Sequence, residues 1–177
     1  MPLKPLKPST LEELALQEIL QNTKPAPTQW QSDELPPVKR PGMFSPDPTI
    51  VGDPMFVQMA HRMLKMAPEL RSRTPNIMQG PNEDFMELMD ASPKVAHLKA
   101  SPDYGYGAIN KLGLTNMRTG KISVNPGIAH EPGITGAVMA HELMHAGGHD
   151  HGPEVEAAEQ AAGKLFENWT PKMKGQK

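Results

Sequence analysis

His141-Glu-Leu-Met-His145-Ala-Gly-Gly148-His-Asp-His151 is the stretch on which the reading of this chain turns, holding four of its seven histidines within eleven residues. Residues four apart on a helix stand one above the other, so His141 and His145 project from one face and can share a metal ion. Glu142 is rotated away from that pair but stays within reach of a water on the metal. That is the position of a general base in metal-assisted hydrolysis. Gly148 can adopt a left-handed conformation, ending the helix and turning the chain back toward the metal. His151 then completes three protein ligands and leaves a fourth position open, as a catalytic zinc requires. Two other readings stay open at this point. His149 could close the site as a fourth, structural ligand, or the histidines could decorate a surface helix without binding anything.

Residues 141–151 match H-E-x-x-H-x-x-G-x-x-H, the pattern of the metzincin clan of zinc metallopeptidases, and the flanking segments resemble the wider zincin superfamily. The resemblance covers about residues 95–168, and the eleven-residue core carries its specificity. It implies His141, His145 and His151 as ligands of Zn2+, Glu142 as catalytic base, and a peptide or protein as substrate. In zincins an edge strand before the active-site helix pairs with an extended substrate. Lys121-Ile-Ser-Val-Asn-Pro126, which alternates like a strand after a Thr119-Gly120 turn, takes that place here. The chain departs from the clan in two respects. The methionine-containing turn expected downstream of the third histidine has no counterpart except Met173, in a basic tail. The tyrosines, Tyr104 and Tyr106, lie upstream of the motif instead of downstream. The chain is therefore zincin-like and not a metzincin proper.

Two variants of this reading have their own residues. In gluzincins the third ligand is a glutamate from the next helix, which nominates Glu156 or Glu159. A bacterial endoribonuclease family of ribosomal RNA maturation carries H-G-x-L-H-x-x-G-Y-D-H, and His141, His145, Gly148 and Asp150-His151 fit it. That family has glycine where this chain has Glu142. RNA binding also calls for a basic surface, whereas 18 basic and 20 acidic side chains give this chain a net charge of −2.

With 177 residues there is room for one domain. Of the twenty prolines, half fall in residues 1–50, and that region reads as a largely disordered or extended arm. It holds one amphipathic helix, opened by a capping box at Thr10-Leu-Glu-Glu13, with Leu11, Leu14, Ala15 and Ile19 as its apolar stripe. Such a helix docks on a partner protein, packs on its own domain, or belongs to an inhibitory pro-segment. There is no cysteine, which excludes disulfides and Cys-based metal sites. No apolar run is long enough for a secretory signal or a membrane span, so the expectation is a soluble, cytoplasmic protein. Near-neutral charge gives no reason to expect nucleic acid or membrane as a partner.

From residue 51 the composition becomes domain-like. Asp53-Pro54 starts a helix with Met55, Phe56, Met59, Ala60, Met63 and Leu64 on its core face. Asn82 caps a second, short helix carrying Phe85, Met86, Leu88 and Met89. Residues 94–100 read as a strand containing His97, and 112–117 with 121–125 as an antiparallel hairpin. Gly105 and Gly107, interleaved with the two tyrosines, read as a mobile lid. The expected fold is α+β and zincin-like. It has a small mixed sheet with an antiparallel edge strand at 121–125, an active-site helix at about 134–146 and a C-terminal helix at about 153–168. The expected activity is zinc-dependent peptide-bond hydrolysis. The non-enzymatic alternative is an assembly subunit, for example of a phage particle.

Overall fold

A computed structural model describes residues 10–22, 47–91 (side chains to 87) and 112–170. The expected strand with His97, the loop with Tyr104 and Tyr106, Met173 and the rest of the proline-rich arm lie outside these residues. Three helices begin where a side chain accepts from one of their free N–H groups. In α1 (Leu11–Gln21) the Thr10 hydroxyl accepts from Glu13 N at 3.1 Å. In α2 (Pro54–Met66) Asp53 accepts from Phe56 N at 2.9 Å, and Pro54 occupies the first turn. A short α3 (Pro68–Arg73) follows at once. The next helix, α4 (Glu83–Ala91), is capped by Asn82, which accepts from Phe85 N at 2.9 Å. The motif lies on α5 (Pro132–Ala146), and α6 (Pro153–Phe166) closes the described chain.

Among the described residues four short strands make one mixed sheet: β1 (Thr49–Val51), β2 (Asn76–Gln79), β3 (Gly113–Thr115) and β4 (Ile122–Val124), in the order β1-β2-β4-β3. β1, β2 and β4 run parallel, and β3 pairs antiparallel with β4. This corrects the expected edge: residues 121–125 form an interior strand, and the antiparallel edge among the described residues is β3. All three residues of β4 are buried, because both faces of the sheet are covered. Ile50, Ile77 and Ile122 lie in register on one face and join a core with Phe56, Met59, Met63, Met139, Leu143 and Phe166. Ser123 turns to the other face, where its hydroxyl accepts from Asn82 N at 3.1 Å. The same two-residue period turns Gly113 and Thr115 of β3 toward α5.

α1 packs on its own chain, chiefly against α6. Its buried face is Glu13, Leu16 and Leu20, whereas Leu11 and Leu14, expected in the apolar stripe, are 81% and 41% exposed. The register follows from Arg62 on α2. Its Nε donates to Glu13 Oε1 at 2.8 Å and supplies the partner that a buried carboxylate requires. Gln21 Nε2 adds a bond to Met66 O at 2.8 Å. No helix among the described residues is long and apolar enough to cross a membrane.

The β3–β4 turn is tied to α4 and α3. Asp84 accepts from Asn116 Nδ2 (2.8 Å), Thr119 Oγ1 (2.6 Å) and Lys121 Nζ (3.1 Å). Burial alone would raise the Asp84 carboxyl, but these donors outweigh it and hold the group below its ordinary value. Gly120 has φ +73°, and a Cβ there would stand 1.7 Å from the backbone oxygen of Arg73. Gly120→Ala combines a left-handed strain with a backbone clash that no side-chain motion relieves. An expected cost of about 3 kcal/mol corresponds to a melting temperature roughly 6–12 °C lower for a chain of this size. Thermal melts of the two proteins check it.

Candidate metal centre

α5 places His141 and His145 one turn apart, with ring centroids 4.6 Å from each other and Nε2 atoms 2.9 Å apart. The helix ends in a turn made by Gly147 and Gly148. His149 N donates to Met144 O at 3.0 Å and Gly148 N to His145 O at 2.9 Å, the paired bonds of a Schellman cap. Gly148 has φ +91°, the left-handed value expected from the sequence. Arg73 Nη1 donates to Gly147 O at 3.0 Å, so the end of the helix is also satisfied from α3. The turn brings His151 back. Its ring centroid lies 5.1 Å from that of His141 and 4.6 Å from that of His145. One ligand atom from each of the three histidines falls within 4.8 Å of the others. Neither Glu156 nor His149 belongs to this group.

Whether the donor set suits a metal depends on where the ring hydrogens are. His145 Nδ1 stands 2.7 Å from the His149 carbonyl oxygen. A carbonyl can only accept, so Nδ1 carries the hydrogen and Nε2 keeps its lone pair. His141 Nδ1 is held in the same way by the Glu159 carboxylate. When both rings are neutral, as metal binding requires, both Nε2 lone pairs face inward. Their 2.9 Å separation is slightly less than the roughly 3.3 Å between two nitrogens on a tetrahedral zinc. Three imidazole nitrogens converging in this way fit a borderline-soft divalent ion, and outer groups hold the far nitrogens of two of the rings. Glu159 thus appears on the far nitrogen of a candidate ligand and not as a ligand itself.

Glu142 is 5% exposed and points at the edge strand. Thr115 Oγ1 lies 2.7 Å from Glu142 Oε2 and 2.9 Å from Glu142 O. A Cβ on Gly113 would come within 2.5 Å of Glu142 Oε1, so the strand leaves room for the carboxylate only because it has glycine there. Glu142 is buried, His141 is half-buried and His151 is exposed. Thr115 had no signal in the sequence. Nothing in one chain marks a threonine 27 residues before a glutamate as its partner.

Burial pushes the His145 imidazole below the usual histidine value. The bond to the His149 carbonyl opposes this, and the neighbouring His141 and His151 add to the lowering. The unfolded chain takes up this proton near pH 6.5, whereas the folded chain takes it up only at lower pH. Metal-free protein should therefore lose stability as pH falls from about 6.5 through the folded value, and lose none above that range. Melts of chelator-treated protein between pH 7.5 and 5 should show this fall, and His145→Gln should reduce it. An unchanged slope in that variant would remove His145 as its source.

Family models, curated proteins and solved structures were each compared with the chain, and none matches it.

Proposed function

We propose that the chain is a zinc-dependent peptide hydrolase of zincin type, with His141, His145 and His151 holding the ion and Glu142 as general base. The convergence of the three imidazoles, with buried Glu142 next to His141 on the same helix, carries this reading. A bound zinc ion supplies a Lewis acid that acidifies a water molecule and polarises the scissile carbonyl. With the ion held by the three histidines, Glu142 would accept a proton from the attacking water as the water oxygen adds to the carbonyl carbon. It would then deliver that proton to the amine nitrogen as the C–N bond breaks. Thr115 holds the carboxylate in place, which favours one proton-transfer geometry.

The corrected sheet order supports the same reading. β3, the antiparallel edge among the described residues, is the strand that borders Glu142, and its outer side can take an extended peptide as an added strand. Glu142 favours peptide hydrolysis over the endoribonuclease reading, which places glycine at that position. The test is cleavage of an unfolded protein substrate by zinc-loaded wild type beside Glu142→Gln, with metal content measured in both. Equal activity in the two proteins would sink the proposal.

A further inference from the structure

The His149 ring stands outside the histidine triad, yet it is only 1% exposed. Its Nε2 faces the backbone oxygen of Asn22 at 2.6 Å, and its Nδ1 faces Glu154 Oε2 at 2.8 Å. Asn22 is the C-terminal cap of α1, and Glu154 lies in the first turn of α6. The main chain of the same residue accepts from His145 Nδ1 at 2.7 Å. His149 therefore touches the end of α1 and the start of α6 with its ring, and a candidate ligand with its carbonyl. His151 follows two residues later on the same loop.

We propose that His149 is a positioning residue that couples docking of α1 to metal binding. The carbonyls at a helix end lack intrahelical donors and carry partial negative charge, so an imidazole N–H is a fitting partner for Asn22 O. If α1 lifts away, the buried Nε2–H loses its acceptor and the ring must move to find water. The loop at 147–152 then keeps its cap bonds but loses its tie to α1. The carbonyl that fixes the His145 tautomer moves with it, and His151 is no longer presented to the other two histidines. Linkage makes the effect reciprocal: an ion that fixes the loop must also favour docked α1. α1 is held by other contacts as well, Leu16 and Leu20 in the core and Glu13 on Arg62, so the clasp tunes its docking and does not create it. The coupling rests on the metal-binding reading of the triad.

The experiment is hydrogen–deuterium exchange on full-length, chelator-stripped protein with and without added zinc. The peptides compared are those covering α1 and α5, in wild type and three variants at position 149. In wild type, zinc should slow exchange in both helices. In His149→Phe, which keeps a ring but no donor, α5 should still respond and α1 should not. Zinc affinity should fall by roughly 10- to 100-fold, as for loss of other outer partners of a ligand. His149→Gln puts an amide nitrogen near the place of Nε2 and should keep the α1 response. His149→Asn puts one near Nδ1 and should lose it. This pair decides the matter if the Phe variant does not fold. An α1 response equal in wild type, Phe and Asn variants would overturn the coupling and leave the metal centre standing. No zinc response in wild-type α5, with zinc uptake indifferent to His151→Ala, would overturn both.

Discussion

Glu142→Gln is expected to bind zinc as wild type does and to hydrolyse peptides roughly 10²–10⁴-fold more slowly. The amide nearly matches the carboxylate in shape, so the pocket formed by Gly113 and Thr115 stays filled. The amide cannot accept the proton of the attacking water, and the loss should therefore appear in kcat with KM little changed. Metal content separates this outcome from collapse of the site. Zinc retained with activity lost assigns the base, whereas zinc lost would mean that Glu142 acts structurally. Thr115→Val offers a graded companion, because it removes the hydroxyl 2.7 Å from Glu142 Oε2 and leaves the base in place.

The second large effect concerns the ion. A zinc ion held by four side chains gains roughly 10–16 kcal/mol, or about 3–4 kcal/mol per ligand. His151→Ala should accordingly weaken zinc by roughly 10²–10³-fold. His151 is exposed at the end of a loop, so its removal should leave the core intact and the melt of metal-free protein close to wild type. Competition against a chromogenic chelator measures the affinity. Zinc held equally well by the variant would discard the three-histidine site. Zinc held by a His149→Ala variant but not by His151→Ala would close the alternative of a fourth structural ligand.

The parts of this molecule that were legible in its sequence are local ones. Asp53, Asn82 and Gly148 each act within a few residues, through a cap or a left-handed turn, and the structure has all three where the spacing puts them. The misread parts depend on distant partners. Lys121-Ile-Ser-Val-Asn alternates as a half-exposed strand does, yet Ser123 is fully buried because Asn82 supplies its hydrogen-bond partner. β4 is therefore interior, and the edge passes to β3. The buried face of α1 departs from its apolar stripe for a similar reason. Counting apolar residues passes over Glu13, whose burial is made tolerable by Arg62, 49 residues away. The gluzincin pattern nominates Glu156 or Glu159 only as an alternative third ligand, and nothing in the sequence marks Glu159 as a partner for the far nitrogen of His141. Only the packing of α6 along α5 decides between those roles.

All three candidate ligands lie within eleven residues, so bringing them together closes a very short loop at small entropic cost. One group that orients them is local, the His149 carbonyl four residues from His145. Glu159, by contrast, lies 18 residues from His141, and Asn22, which holds the His149 ring, lies 127 residues from it. On the proposed metal-binding reading, capture of an ion and refinement of its geometry would be separable. The three imidazoles would meet once the end of α5 forms, and the grip would tighten when the long-range pairings are complete.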